Sequence, residues 1–328
     1  MTNIYLFHGE DSYSSTAKIN FWRREFIKKH EEINLEIIEG EKLDPKNFES
    51  NLETMPFLGE KRMIIVRNFL SLKKSEKTTE KQKHLAKHLE KIPDFCILIF
   101  QEQKDVDKRT SLYKKITQLG KVETFPTLTL NALTKWVLDQ SKSRKISINY
   151  ATSNYLSQHL GLNLWNISNE LDKLEIFANG KEITEDMINK IVPPSLSTSI
   201  FKLTDAVAQR QLKESLKTFK ALIDSQEDII RIFFMLVRHF RLLIQTQDML
   251  GKGEPTHSIQ KSLKIHPFVM QNMQKQSKSF NLQQLERIYD HLLQIDAGTK
   301  TGKIKMTTSN TKEMQLAIEK FIIGCCQN

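Results

Sequence analysis

The sequence predicts an α/β domain followed by domains that are entirely helical. Two observations support this prediction. Short apolar, β-rich runs alternate with helix-like stretches over the first 125 residues, and the alternation stops after residues 125–129, beyond which nearly every segment has helical spacing. With 328 residues, 39% of them apolar, the chain is long enough for two or three domains that each bury a core.

Five β-rich runs form the predicted sheet. Several are apolar at consecutive positions, as is typical of strands that are buried on both faces of a parallel sheet. Stretches of ten or more residues with helical character separate most of them. The predicted strands are Ile4–Phe7, Asn34–Ile38, Met63–Arg67, Phe95–Phe100 and Lys121–Phe125.

Helical spacing dominates from Leu130 onward. The stretch GLNLWNISNELDKLEIFANG, residues 161–180, places Leu164, Ile167, Leu171, Leu174 and Phe177 on one face, and Gly180 is expected to end this helix. Adjacent prolines at 193 and 194, followed by SLSTS, are the best linker signal in the chain.

Beyond this linker, residues 229–244 are apolar almost all round, which predicts a helix in the middle of a bundle. A last helix is expected from about Thr311. We therefore predict three domains: an α/β domain at 1–128, a small helical domain at 129–196 and a helical bundle at 197–328.

Composition favours a soluble protein of the cytoplasm. The chain has no apolar run of 18 residues and no N-terminal signal pattern, so neither membrane insertion nor export is expected. Its three cysteines, Cys96, Cys325 and Cys326, form neither a disulfide framework nor a metal-ligand pattern.

The net charge of +10 is concentrated in the last third of the chain. Residues 197–328 carry 19 basic and 12 acidic side chains, whereas residues 129–196 carry seven of each. Such clustering can serve a nucleic-acid backbone. A solvated, lysine-rich face is the preferred interpretation on charge alone.

The first strand leads into a stretch, GEDSYSST, that has the outline of a phosphate-binding loop but not its chemistry. Counted from Gly9, the position of the second glycine is Ser14 and the position of the lysine is Ser15; only Thr16 fits the pattern. The glycine lets backbone amides surround a phosphate, and the lysine neutralises its charge. We therefore expect no nucleotide binding at this loop.

Two further features argue against a nucleotide site. Glu10 and Asp11 are ionised at neutral pH and would repel a triphosphate. The third strand ends in Arg67 and Asn68, where an ATPase needs carboxylates for magnesium. An α/β domain that never bound nucleotide would show nearly the same features.

Other catalytic or metal-binding patterns are weak. His84 and His88 stand one turn apart and could share a metal, but Glu90 is not spaced to join them, so a solvated helix is the preferred interpretation. His239 lies in an apolar helix and is expected to be a partly buried, hydrogen-bonded histidine rather than a catalyst. We predict no catalytic residue, no metal site and no cofactor.

An apolar cluster stands out between the second and third strands. Met55, Pro56, Phe57 and Leu58 follow a helix-like segment and are closed by Gly59, at a turn where polar residues are usual. The cluster could protrude and bind a partner, or it could fold back on the sheet. Spacing alone leaves these two alternatives about even.

Several ordered stretches together carry a family resemblance. They are YLFHGEDSY, MPFLGEKRMIIVRNF, ILIFQEQKDVDKRTSLYKKI with FPTLT, GLNLWNISNELDKLEIFA and, before the last helix, DAGTKTGKIKMTT. No single one is specific, but the set in this order, spanning nearly the whole chain, resembles the delta subunit of the bacterial DNA polymerase III clamp loader.

The resemblance implies an architecture and a function. The fold would be an AAA+-like parallel-sheet domain with a small helical lid domain, followed by a C-terminal helical-bundle collar domain that joins a ring of five subunits. Such a subunit has lost its ATP site and belongs, without an active site of its own, to the DNA polymerase III holoenzyme of DNA replication. Its expected partners are the beta sliding clamp, the ATPase (gamma/tau) and delta-prime subunits, and primed DNA through the assembled complex, with no membrane.

The resemblance also assigns roles to residues. In this family, an apolar pair enters a pocket of the clamp and opens one clamp interface. The positions that match this pair are Phe57 and Leu58, with Met55 and Pro56 beside them. Other members have Leu followed by Phe, whereas this chain has Phe followed by Leu. Lys300, Lys303 and Lys305 could face DNA, although solvation is preferred. The alternatives are an active ATPase with a degenerate phosphate loop and a free-standing basic DNA-binding protein.

Overall fold

The structure is a computed structural model that describes residues 3–307 and 310–327. It separates into two compact units, Met1–Leu128 and Thr129–Asn328, called here the first and the second unit. The division into three domains at 1–128, 129–196 and 197–328 stays a prediction.

The first unit is built on a five-stranded parallel sheet in the order β2-β3-β4-β1-β5. This confirms the predicted parallel sheet, and each strand boundary lies within one residue of its predicted position. The strands are β1 (Ile4–His8), β2 (Leu35–Glu39), β3 (Arg62–Arg67), β4 (Cys96–Gln101) and β5 (Lys121–Thr124).

Helices cover both faces of this sheet, which explains the consecutive apolar residues of its strands. Alternate strand residues form two cores. Phe7 and Ile65 pack with residues of α1, whereas Ile64 and Leu98 pack with residues of the other three helices. The helices are α1 (Ser12–His30), α2 (Pro45–Glu53), α3 (Glu76–His88) and α4 (Ser111–Leu119).

The second unit is helical throughout its described residues, as predicted, apart from a single bridge between Thr307 and Asn310. Its last helix begins at Lys312, one residue after the predicted start. The helices are α5 (Leu130–Ser143), α6 (Tyr150–Leu160), α7 (Leu164–Ala178), α8 (Glu185–Ile191), α9 (Leu196–Ala208), α10 (Leu212–Asp224), α11 (Ile229–Gly251), α12 (Thr256–Leu263), α13 (Pro267–Ser277), α14 (Leu282–Lys300) and α15 (Lys312–Gln327).

Two details of the helix predictions were wrong. In α7, Phe177 is exposed and does not belong to the buried face. The helix ends at Ala178, and its capping residue is Asn179 rather than Gly180. Both residues have left-handed backbones, which the short polar side chain of asparagine tolerates.

Helix α11 is also less buried than its composition indicated. Its core-facing residues include Ile232, Leu236 and Phe240, but Ile230 and Phe234 on another face are exposed. The helix packs most closely against α13 and α14 and also contacts α9, α12 and α15, but the face that carries Ile230 and Phe234 is not covered. None of the described helices combines the length and apolar content that crossing a membrane requires.

Candidate functional site

The apolar cluster between α2 and β3, called here the tip (Met55, Pro56, Phe57 and Leu58), is open to solvent. The side chains of Met55, Phe57 and Leu58 are 75%, 60% and 86% exposed. Of the two alternatives that the sequence left even, protrusion is the one observed. Three large apolar side chains exposed within four residues are characteristic of an interaction surface rather than of scattered surface residues.

Backbone strain accompanies this exposure. Leu58 has a φ of 50°, in the left-handed region that branched and bulky residues rarely occupy. A residue held there costs on the order of 1–3 kcal/mol and persists only where its surroundings fix it. The chain therefore holds its most exposed leucine in a conformation that it would not adopt if left free.

Asn34 supplies that fixation. Its side chain is buried, and its amide group pairs with the backbone of Phe57 in both directions: Oδ1 accepts from the Phe57 N–H at 2.7 Å, and Nδ2 donates to the Phe57 carbonyl oxygen at 2.8 Å. Nδ2 also donates to the carbonyl oxygen of His30 at 2.6 Å. These bonds tie the tip to the end of α1.

Gly59 makes room for this anchor. A Cβ atom at this position would lie 2.9 Å from Asn34 Nδ2, so a larger residue would push against the amide. Beside this anchor, the Glu36 carboxylate accepts hydrogen bonds from Arg62 at 2.7 Å and from Asn51 at 2.9 Å. These bonds link β2 and β3 to the end of α2. The tip is exposed, but its base is fixed.

The degenerate phosphate loop is a packed connection between β1 and α1. Gly9 has a φ of 135°, and a Cβ atom there would lie 2.1 Å from the carbonyl oxygen of Phe125. The glycine is therefore needed for close approach of two backbones. The hydroxyl of Ser15 is buried without a hydrogen-bond partner, and Thr16 accepts a hydrogen bond from Gln101 at 3.1 Å.

The N-terminus of α1 carries its own anion. The Asp11 carboxylate caps the helix by accepting from the Ser14 N–H at 2.9 Å, and Asp11 is almost fully buried. In a phosphate loop the corresponding amides bind the nucleotide. Here a fixed carboxylate is placed at the helix end, beside Glu10, where it repels phosphate.

A buried carboxylate that the sequence analysis missed lies at the carboxyl edge of the sheet. Glu102 follows β4 and accepts three backbone hydrogen bonds, from Phe69 and Leu70 at 2.8 Å and from Ser71 at 2.9 Å. Burial raises its pKa, and these hydrogen bonds act in the opposite direction. Its oxygens fix the segment after β3. Arg67, the last residue of β3, and Asn68, which follows it, offer no carboxylate.

The remaining candidates belong to the second unit. His239 is buried, and its Nε2 lies 2.6 Å from Oε1 of Gln276 and 3.0 Å from the hydroxyl of Thr204, which fits the predicted structural role. In the second unit, Lys300, Lys303 and Lys305 are exposed, and Lys300 pairs with Asp296 at 2.7 Å. Their role in facing DNA stays a prediction.

Two family models match the chain. The model of the DNA polymerase III delta subunit matches residues 5–125, and that of the C-terminal domain of the same subunit matches residues 197–323. Together they cover well over half of the sequence.

The chain belongs to the DNA polymerase III delta-subunit family.

Whole-chain comparisons agree with the family match. The chain is 27% identical to the DNA polymerase III subunit delta of Bacillus subtilis, over 98% of this chain and 92% of the relative. It is 23% identical to the probable DNA polymerase III subunit delta of Aquifex aeolicus, over 90% and 86% of the two chains. The solved structure of the Bacillus subtilis DNA clamp loader delta protein shares the fold, with a TM-score of 0.71 and 24% identity over 99% of this chain and 96% of that one.

The delta-family matches include the main candidate residues. The first matched stretch contains the tip, Asn34 and the degenerate phosphate loop, and the second contains the three exposed lysines. Residues 126–196, with helices α5 to α8, lie between the two matched stretches.

Proposed function

We propose that this delta-family chain is the non-catalytic subunit of a DNA polymerase III clamp loader that binds the beta sliding clamp and opens one clamp interface. The observation that carries the proposal is the tip: exposed apolar side chains on a strained backbone, held from below by Asn34. The ATPase (gamma/tau) and delta-prime subunits are the partners within the complex, which meets primed DNA in the cytoplasm.

The tip has enough apolar surface to anchor an interface. Burial of a Phe or Leu side chain is worth about 1.5–3 kcal/mol, so Phe57 and Leu58 together supply about 3–6 kcal/mol when they enter an apolar pocket. The Asn34 anchor also favours binding, because a segment that is already held loses less conformational entropy when it binds.

Opening the clamp requires differential affinity. A ligand shifts a conformational equilibrium only by binding one state more tightly than the other, so the tip must fit the open clamp interface better than the closed one. The energy for the cycle comes from ATP bound by neighbouring subunits, which would align the tip, and from hydrolysis, which would withdraw it. No catalytic role is assigned to this chain.

The double substitution Phe57→Ala with Leu58→Ala tests the proposal. We expect clamp affinity, measured by surface plasmon resonance with the clamp of the same organism, to fall at least about 100-fold, since each 1.4 kcal/mol is a factor of ten. Ile176→Ala with Phe177→Ala is the matched control, because these adjacent apolar residues of α7 are also exposed.

The same measurement with an interface variant of the clamp that stays monomeric tests opening. We expect the chain to bind this open form more tightly than the closed ring. Unchanged clamp binding by a correctly folded Phe57/Leu58 double variant would show that the tip is not the binding element, and equal affinity for both clamp forms would remove the opening role.

A further inference from the structure

Three side chains of metal-ligand type meet between α2 and α3. Glu49 extends from α2, and His84 and His88 extend from the last two turns of α3. One potential ligand atom from each residue lies within 4.8 Å of the others. We propose that this cluster is a zinc site with two histidine ligands and one carboxylate ligand.

The distances place the three ligand atoms around one point. Glu49 Oε1 lies 2.5 Å from His84 Nε2 and 3.0 Å from His88 Nδ1, and the two imidazole rings are 4.6 Å apart between centroids. Ligand atoms around a tetrahedral zinc ion are separated by about 3.3 Å, given zinc–ligand bonds of about 2.0–2.1 Å. Metal binding therefore requires the carboxylate to move away from His84 Nε2, and it requires the two histidine nitrogens, which lie within 4.8 Å of each other, to adopt a similar spacing.

The hydrogen bonding of the cluster also indicates a metal ion. Glu49 Oε1 and His84 Nε2 are both buried, and although they lie 2.5 Å apart, neither makes a hydrogen bond of acceptable geometry. Buried polar atoms without hydrogen-bond partners are uncommon in native proteins, and a bound ion is one way in which they are satisfied. A zinc ion between them would satisfy both lone pairs.

The tertiary structure supplies the ligand that the sequence analysis did not find. Two histidines four residues apart lie on the same face of a helix, which is the spacing that zinc-binding helices use. Glu90, the nearest acidic residue in sequence after them, instead forms an ion pair with Lys115. Glu49, 35 positions before His84, completes the set because α2 packs against α3.

Three protein ligands leave the fourth position of a tetrahedral zinc ion open for water. His88 Nδ1 lies 2.9 Å from the carbonyl oxygen of His84, and metal binding through this nitrogen replaces that contact. The three residues all belong to the first unit and are half-buried as whole side chains, although the Glu49 Oε1 and His84 Nε2 atoms are covered.

A metal ion here would fasten α2 to α3 just before the tip. Helix α2 ends at Glu53, two residues before Met55, so its position sets the direction in which the tip leaves the domain. This consequence rests on the proposed function, whereas the metal site itself does not.

Zinc binding to the full chain tests the site directly. The protein is prepared without a histidine tag, stripped with a chelator and titrated with Zn²⁺ against a chromophoric competitor, and separately with Co²⁺ by visible absorption. We expect one equivalent of zinc to bind, a tetrahedral Co²⁺ spectrum, and a zinc-dependent rise in the thermal unfolding midpoint, since a metal bound only to the folded state stabilises it.

Variants of each ligand identify the residues. We expect Glu49→Gln, His84→Gln and His88→Gln each to weaken zinc binding at least about tenfold. Glu49→His, which restores a ligand atom, should recover affinity that Glu49→Gln loses. His257→Gln, at an exposed histidine of α12, is the matched control and should bind as the parent chain does.

Absence of stoichiometric zinc binding by the parent chain would overturn the proposal, as would His84→Gln and His88→Gln variants that bind zinc as tightly as the parent. If circular dichroism shows that a variant is misfolded, two other measurements decide whether the site exists: the Co²⁺ spectrum of the parent chain and the zinc affinity of the Glu49→His variant. All these measurements use the free chain without clamp, so their failure is distinct from failure of the proposed function.

Discussion

Asn34 shows how one buried side chain can determine what an exposed segment does. The sequence places it at the start of a strand, but in the structure it lies in a short 3-10 turn, Glu32–Asn34, and β2 begins at Leu35. Its amide binds a peptide group 23 positions away, at Phe57. The only feature of the sequence that pointed to this anchoring role was a polar residue directly before an apolar strand.

We expect Asn34→Ala to weaken clamp binding about tenfold while the chain stays folded. The substitution leaves the Phe57 N–H and carbonyl without their partners, which costs about 1–3 kcal/mol when such groups are buried, and it frees the tip to leave its strained conformation. Clamp affinity by surface plasmon resonance measures the effect. Asn20→Ala, at an exposed position of α1, is the control, and an unchanged affinity in folded Asn34→Ala would contradict the anchoring role.

At the scale of elements, the connection from β1 to α1 shows a phosphate-loop outline put to structural use. Gly9 lets the loop pass the backbone of Phe125, and Asp11 caps the helix. An Asp at this position is worth about 1 kcal/mol of helix stability compared with alanine. The residues that a nucleotide site would need for phosphate therefore serve packing and capping.

We expect the chain to bind no ATP. Titration calorimetry with ATP and magnesium should give no binding heat, because the helix end already faces the carboxylate of Asp11 and Ser15 stands in place of a lysine. Asp11→Ala should not create binding, since the lysine is still missing. Binding in the micromolar range would contradict this interpretation and favour the degenerate ATPase.

At the scale of the whole molecule, stability depends on polar groups buried between helices as well as on apolar cores. In the second unit, His239 of α11 contacts Thr204 of α9 and Gln276 of α13, and Gln276 also donates to Asp205 at 2.6 Å. Burial, opposed by the Gln276 hydrogen bond and assisted by the charge of Arg238, lowers the pKa of His239 to about 4.

This predicts a pH dependence of stability with a definite sign. Between pH 6.5 and about 4 the unfolded chain binds a proton at His239 that the folded chain does not, so the free energy of unfolding falls as pH falls through this window. His239→Gln keeps an N–H donor but cannot titrate.

We therefore expect the thermal unfolding midpoint of His239→Gln to change less with pH than that of the parent chain. His257→Gln, exposed and outside the network, should retain the parent slope. Equal slopes for the parent and His239→Gln would show that this histidine does not control the acid limb, to which the lowered pKa of His159 also contributes.

The sequence by itself determined the strands, the helices and the missing parts of the nucleotide site. Strand and helix periodicity is a local property, which is why all five strands were found to within one residue. Burial of particular side chains was harder to predict: Phe177 and Phe234 fit the apolar pattern of their helices yet are exposed, because exposure depends on which neighbours a helix has.

Only the tertiary structure decided which distant residues meet. The pairing of Asn34 with Phe57, of Glu102 with the backbone of 69–71, and of Glu49 with His84 and His88 joins residues 23 to 39 positions apart. The periodicity of apolar residues in the sequence does not predict such contacts, since they follow from the packing of whole helices and strands. The sequence could show that an apolar tip was present, whereas its exposure and its anchor became evident only from the folded chain.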